Sequence, residues 1–410
     1  PGSVVDFKEQ SLVSVPGYIG YNDGGKGQLT IGEESQINAQ YIYYTPGTNV
    51  VIKSTTSVPP YGPSNDIPYV PINSLISPVY SSFNPYQYQL QLEKEANEIY
   101  SQYLGKFTIN KGGTISVGSP ITFDQPVIFT GPVTFSTQAG PGPYNVTFNA
   151  PVVFLGPVTD NGVDLTFNSL VIFKNDFSVS GSAGVTFKGP AVFEGNVGIN
   201  NNFVAVFKDG ALFNSSMPGA SVTFSAPMTK IVSYGPLIVN LTSSSSSIVF
   251  NGNNYIYSSS IVSLTANQVT FNGEINIESA YPTFIQTSGS SGTVTFKEES
   301  VASISGGLVI DSPSATVNVG EESSLDISNG DLLINAGSVG TSCTVFHESD
   351  KITVNGIIAI QSYNIKFSES TSVEASGYAI LYGQNIVFGE SSNIVLNNVI
   401  PSNTMNNIEV

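Results

Sequence analysis

Five glutamates hold one position of a repeating phrase in the C-terminal third of this 410-residue chain. They are Glu298 in Phe-Lys-Glu-Glu-Ser, Glu321 in Val-Gly-Glu-Glu-Ser, Glu348 in Phe-His-Glu-Ser, Glu369 in Phe-Ser-Glu-Ser and Glu390 in Phe-Gly-Glu-Ser. Each lies two residues past an apolar anchor. If the repeats stack in register, the carboxylates climb one corner about 4.8 Å apart. Neighbours then repel by about 0.9 kcal/mol even in a water-like dielectric. Ca²⁺ takes carboxylate and carbonyl oxygens in flexible geometry, so a cation ladder is one expectation. The competing expectation is a solvated turn, with each Glu accepting hydrogen bonds from backbone amides and the adjacent Ser. The phrase lacks the Asp/Gly loops of dedicated calcium repeats.

Other chemistry is sparse. His347 is the lone histidine and Cys343 the lone cysteine, so a Ser-His-Asp or Cys-His centre would have to form around them. Polysaccharide hydrolysis needs paired carboxylates, whereas Asp160, Asp164, Asp176 and Asp209 are scattered and arginine is absent. Gly24-Gly25-Lys26-Gly27 lacks the frame of a phosphate loop and reads as a turn. These signs point away from an enzyme. Asn145, Asn214 and Asn240 head Asn-X-Ser/Thr triplets and are candidates for glycosylation. A net charge of −17 without arginine argues against nucleic acid, whose phosphates need clustered cations. No apolar run reaches the roughly 18 residues of a membrane span.

The elements that must position these residues follow from a second regularity. Phrases such as Val146-Thr147-Phe148 and Val185-Thr186-Phe187 recur through the chain, with anchors from Phe123 to Phe388 spaced 17 to 27 residues apart. A near-constant period marks a stack of small units rather than one centred core. Within each unit apolar residues alternate, and turn makers such as Asn149-Ala150-Pro151 separate two or three short strands. The pattern predicts an all-β parallel β-solenoid (β-helix) over 105–410, with about 12–14 coils of about 22 residues. Phe forms an internal ladder in this reading, and Thr an external row.

The first hundred residues read differently. Residues 55–83 are rich in Pro and Tyr and read as an extended arm. Residues 84–104 read as a helix, with Asn84 at the N-cap, Pro85 in the first turn and Gly105 past the end. That helix is well placed to cap the first coil near residue 107, because an exposed coil edge needs cover. No comparable helix follows the last coil, so the C-terminal end reads as open. Residues 1–54 form a β segment whose Leu29-Thr30-Ile31-Gly32-Glu33-Glu34-Ser35 resembles the C-terminal phrase, not the nearer coils. Two readings stand. The segment is an early coil of the same stack, or Ile31, Glu33, Glu34 and Ser35 belong to an assembly arm that adds to the C-terminal coils of another copy.

The repeated Val-Thr-Phe, Pro-Val-Val-Phe and Phe-x-Glu-Ser phrases resemble extracellular β-solenoids: adhesin passengers, viral or phage fibres, and sheath or surface-layer proteins. That resemblance covers about 300 residues and is one of architecture. It implies a structural protein of a cell or particle surface that assembles with copies of itself. An adhesin or carbohydrate-binding protein with surface glycans as partners is the second expectation, and a polysaccharide-active enzyme the third.

Overall fold

The computed structural model describes residues 3–409 apart from 57, 68–70, 139–143, 181–182, 201–202, 226, 290, 339–341 and 398–406. The chain is an all-β parallel β-solenoid, 52% strand and 8% helix, of about 16 turns with a period near 23 residues. The turns outnumber the expected coils because residues 4–52 wind as well. Each turn contributes one short strand to each of three parallel sheets, A, B and C. The chain divides into two compact units, residues 83–289 and residues 1–82 with 290–410.

In the unit of residues 83–289, sheet A begins at Gly113–Val117, sheet B at Ile121–Phe123 and sheet C at Thr108–Asn110. Successive side chains on a strand face opposite sides, and in Asn145–Phe148 it is Val146 and Phe148 that turn inward. Inward rings stack like on like. On sheet B, Phe123, Phe148, Phe167, Phe187 and Phe207 follow one another at 4.7, 5.0, 5.3 and 4.6 Å between centroids. On sheet C, Phe129, Phe154, Phe173, Phe193 and Phe213 do so at 5.1, 5.1, 4.9 and 4.5 Å. The two ladders meet edge-to-face, with Phe148 and Phe154 at 6.0 Å and 84°. Each such contact contributes about 0.5–1.5 kcal/mol beyond area burial. They also hold the register, because a one-residue slip would turn every ring outward.

The anchors do not form one ladder. Phe207 on sheet B is followed by Ser233, while Phe224 starts a second series on sheet A with Phe250 and Phe271. The 17-residue interval between Phe207 and Phe224 spans two strands of a turn instead of three, so the aromatic rung changes face. The threonine row divides in the same way, Thr122 to Thr186 on sheet B and Thr223 and Thr270 on sheet A.

Sheet C is apolar on its outer face also. Val153, Ile172, Val192 and Leu212 are buried at the outward position that Thr fills on sheet B. Their cover is a helix, α2 (Pro85–Gln102), capped by Asn84, whose side chain accepts from the Tyr86 amide at 3.0 Å. Ala96 packs with Val153, Leu170, Ile172 and Val192, and Ile99, Tyr100 and Phe107 join the cluster. The helix crosses strands Ala191–Phe193, Ala211–Ser215 and Leu237–Leu241. It is therefore a flank strap rather than a lid on the first turn, because its apolar face packs on the outward row Val153, Ile172 and Val192. The first turn keeps Ile115, Ile121 and Phe123 partly exposed, whereas Phe135 and Phe148 one turn on are 0% and 1% exposed.

The second unit has its own helix, α1 (Ile72–Ser82), inside the stretch that reads as an extended arm. A proline within a helix costs about 3 kcal/mol. α1 tolerates Pro78 by burying Ile72 and Ile76 on sheet C strands Leu332–Gly337 and Ile358–Ser362. Pro68 lies outside the described residues.

Candidate functional site

The order of strands in the second unit is the finding that matters most for function. Asn385–Phe388 on sheet A is followed by Val4–Phe7, then Gln28–Ile31, then Asn49–Ile52. On sheet B, Asn393–Leu396 is followed by Leu12–Ser14 and Gln36–Asn38. On sheet C, Asn407–Glu409 is followed by Tyr18–Tyr21, Tyr41–Tyr44 and Tyr61–Pro63. The chain's first residues thus wind on the far side of its own last turn. The segment is thus a coil of the same stack, as the first reading has it, but an early one in sequence only: it follows the turn that ends at Leu396. The last turn, expected to be open, is covered, although 398–406 and 410 of the polar tail lie outside the described residues.

The acidic phrase explains why these turns match. Every copy makes the same corner between sheets A and B. The residue after the first Glu takes a left-handed conformation: Glu299 (φ 58°), Glu322 (57°), Ser349 (61°), Ser370 (57°), Ser391 (57°), Gln10 (57°) and Glu34 (55°). Its amide then donates to the carbonyl of the Glu one turn on. The bonds run Glu299 to Glu321 (2.9 Å), Glu322 to Glu348 (3.0 Å), Ser349 to Glu369 (3.1 Å) and Ser370 to Glu390 (2.9 Å). They continue across the chain ends as Ser391 to Glu9 (3.1 Å) and Gln10 to Glu33 (2.9 Å). One ladder therefore crosses from residue 390 to residue 9 without a gap.

A hydroxyl ladder lies just inside it. Ser300, Ser323, Thr371, Ser392, Ser11 and Ser35 are all buried. Ser323 Oγ donates to the Lys297 carbonyl at 2.8 Å, Thr371 Oγ1 to His347 at 2.8 Å, Ser35 Oγ to Lys8 at 2.7 Å and Ser11 Oγ to Gly389 at 3.2 Å. These hydroxyls give the corner carbonyls a second donor, since Lys297, Lys8 and Gly389 also accept from the amides of Ser300, Ser11 and Ser392 at 3.1, 3.4 and 3.2 Å. Asp350 takes the hydroxyl's place in one turn, accepting from the Ser323 amide at 3.1 Å and the His347 amide at 2.7 Å. Burial pushes its carboxyl up to about 7, against the pull of those two amides. Above the corner, Phe388 and Phe7 stack at 4.6 Å with planes 4° apart, continuing Phe346, Phe367 and Phe388 at 5.0 and 5.2 Å.

Glu298, Glu321, Glu348, Glu369 and Glu390 are thus brought to one corner in register, with Glu9 and Glu33 extending the row. Their carboxylates are exposed, and it is their main-chain carbonyls that make the corner. Among the described residues, no three His, Cys, Asp or Glu side chains converge as one ion would require. Ile31 is fully buried on sheet A, Ser35 is in the hydroxyl ladder, and Glu34 accepts from Gln10 Nε2 at 3.0 Å. No protein family, curated protein or solved structure matches this chain.

The remaining candidates lie elsewhere. Asn145 opens a strand of sheet B beside Asp164. Asn214 and Asn240 fasten the helical strap: Asn214 Nδ2 donates to Glu93 Oε1 at 3.1 Å, and Asn240 Nδ2 to Gln89 Oε1 at 3.2 Å. A glycan on either nitrogen would have to break that network. The hint in the sequence was their position at the edge of sheet C's apolar stripe, on strands that a helix covers. Cys343 and His347 are four residues apart along an extended strand, about 13 Å, and burial raises the thiol's pKa, the wrong direction for a nucleophile. Asp160 faces the core of sheet A between Phe135 and Val179 and is 0% exposed.

Proposed function

We propose that this protein is a self-assembling structural subunit of an extracellular fibre, sheath or layer, built by β contacts between copies of itself. One observation carries the reading. The turn ending at Leu396 accepts a strand set that begins at residue 4, so recognition between turns of this chain does not depend on covalent continuity. Such a contact, made through backbone ladders and like-on-like stacking, can equally join two molecules. Low charge, no arginine and many Ser, Thr and Asn suit a durable external material and leave few sites for trypsin-like proteases. Negative-stain microscopy of the purified chain over rising concentration tests the proposal. Ordered polymers of uniform width are expected, and a monodisperse monomer throughout contradicts it.

A glycan-binding role is the second reading, favoured by one aromatic patch. Tyr18, Tyr41 and Tyr43 share the outer face of sheet C, with Tyr43 centred 5.5 Å from Tyr18 and 4.5 Å from Tyr41. Gly20 and Gly62 flank Tyr43 and keep the surface low. Neutral sugar rings stack on such surfaces. Binding on a glycan array that Tyr43→Ala removes would support this role, and an array without hits would end it.

A further inference from the structure

We infer that copies of this chain join head to tail through sheet A, the edge strand Gly113–Val117 of one molecule receiving Asn49–Ile52 of the next. This rests on the self-assembly reading and names the surfaces that reading needs. Among the described residues, Gly113–Val117 is an end strand of sheet A in the unit of residues 83–289, and Asn49–Ile52 is one in the unit of residues 1–82 with 290–410. The Gly113 amide bonds the Pro132 carbonyl and the Val117 carbonyl accepts from Gln138. By the alternation of a parallel ladder, the amides and carbonyls of Thr114 and Ser116 then face away from their only neighbour. At the other strand, Asn49 donates to Gly27 and Lys53 to Ile31, so Val50 and Ile52 present their backbone outward.

The apolar side chains agree. Ile115 is partly exposed where Phe135 of the next turn is 0% exposed, and Val50 and Ile52 are partly exposed where Leu29 and Ile31 are 3% and 0%. Each edge is thus an unfinished rung of the same kind, short of one turn of cover. A second copy is the occupant that fits. Only another solenoid supplies a parallel strand with inward residues at matching height, and the Phe388–Phe7 junction shows turns of this chain pairing without a connecting segment. The corners match too, with left-handed glycines before both strands, Gly112 (φ 82°) and Gly47 (φ 101°). Lys111 adjoins the first corner, and Asp23, which accepts from Thr48 Oγ1, adjoins the second.

Sheet B is not used in this contact. Residues 53–56 cross its end, where Ser54 Oγ donates to the Ser35 carbonyl at 2.6 Å, and Pro59 beyond them is buried. Prolines blunt a sheet edge, here and at Pro63 in the sheet C strand Tyr61–Pro63, whereas Asn49–Ile52 of sheet A holds none.

The test uses full-length protein. Ser116→Pro and Val50→Pro each delete one outward amide while sparing the internal ladder. Each variant is expected to keep the wild-type circular dichroism spectrum and to raise the polymerisation threshold at least tenfold. Mixing the two variants is expected to give dimers only, since each retains one competent edge. Polymers from both variants at the wild-type threshold would overturn the interface while leaving self-assembly standing. Wild-type protein that stays monomeric overturns both, and wild-type protein that stops at a symmetric dimer overturns the head-to-tail geometry. If a proline variant misfolds, Thr114→Lys, which changes only an outward side chain, is expected to raise the threshold likewise, and an unchanged threshold would count against the interface.

Discussion

Phe7→Ala is expected to loosen the union of the two chain ends more than any other single substitution there. Phe7 is 2% exposed and its ring lies 4.6 Å from Phe388, so truncation removes a buried aromatic and leaves a cavity beside the stack. Comparable core truncations cost about 3–5 kcal/mol. The cost should be local, because each turn of a solenoid is held mainly by its neighbours. Hydrogen exchange is expected to accelerate over residues 4–52 and over 385–396, which lose their cover. Phe148→Ala removes a ring of similar burial within residues 83–289 and is the control; it should speed exchange around its own turns and leave 385–396 protected. Unchanged protection of 385–396 in Phe7→Ala would mean that the aromatic ladder does not hold the ends together.

The second large effect is on pH dependence. Asp160 stands at a core position, its Oδ1 accepting from the Val163 amide at 2.9 Å and its Oδ2 buried without a partner. Burial pushes its carboxyl up to about 7 from 3.8, opposed by the Val163 amide and helped by the charge of Asp164. Below about pH 4 the group is protonated whether the chain is folded or not, and it has no pH-dependent effect. Between about pH 4 and 7 the unfolded chain ionises while the folded one stays protonated, so unfolding releases a proton and stability falls as pH rises. The full loss, reached above pH 7, is about 4 kcal/mol at most. Asp350 adds in the same direction. Asp160→Asn keeps the Val163 bond and removes the charge. Its melting temperature is expected to exceed wild type at pH 8 and to approach it at pH 4. A variant that melts lower at pH 8 than wild type would show that the carboxylate is stabilising there.

The architecture was legible because it rests on repetition. Val-Thr-Phe states both the strand alternation and the stacking partner, so solenoid and inward Phe follow directly. Placement was harder to read. The 17-residue step between Phe207 and Phe224 marks a change of face, yet by itself it looks like a short coil. The helix at 84–104 was visible in its cap and stripe, whereas its seat depended on Val153, Ile172, Val192 and Leu212 facing outward, which shows only once strands are assigned to sheets. α1 was hidden by Pro78, whose local preference is overridden by the burial of Ile72 and Ile76. The kinship of Ile31-Gly32-Glu33-Glu34-Ser35 with the C-terminal phrases did carry the decisive clue. It could not say that the segment follows the last turn, because spatial order in a stack is independent of order along the sequence. The same phrase drew attention to its carboxylates, when the chemistry of the corner lies in the left-handed residue, the Glu carbonyl and the buried hydroxyl.

A cysteine pair tests the union of the ends most directly. Asp6 and Val387 are opposite one another on neighbouring strands, and the inter-strand spacing of about 4.8 Å lies within the Cα separation a disulfide spans. Asp6→Cys with Val387→Cys, in a Cys343→Ser background, is oxidised in dilute solution and analysed by mass under non-reducing conditions. The account predicts a monomer that has lost two hydrogens, with residues 6 and 387 joined in one peptide pair. Free thiols in a folded monomer, or the pair appearing only in covalent dimers, would contradict it.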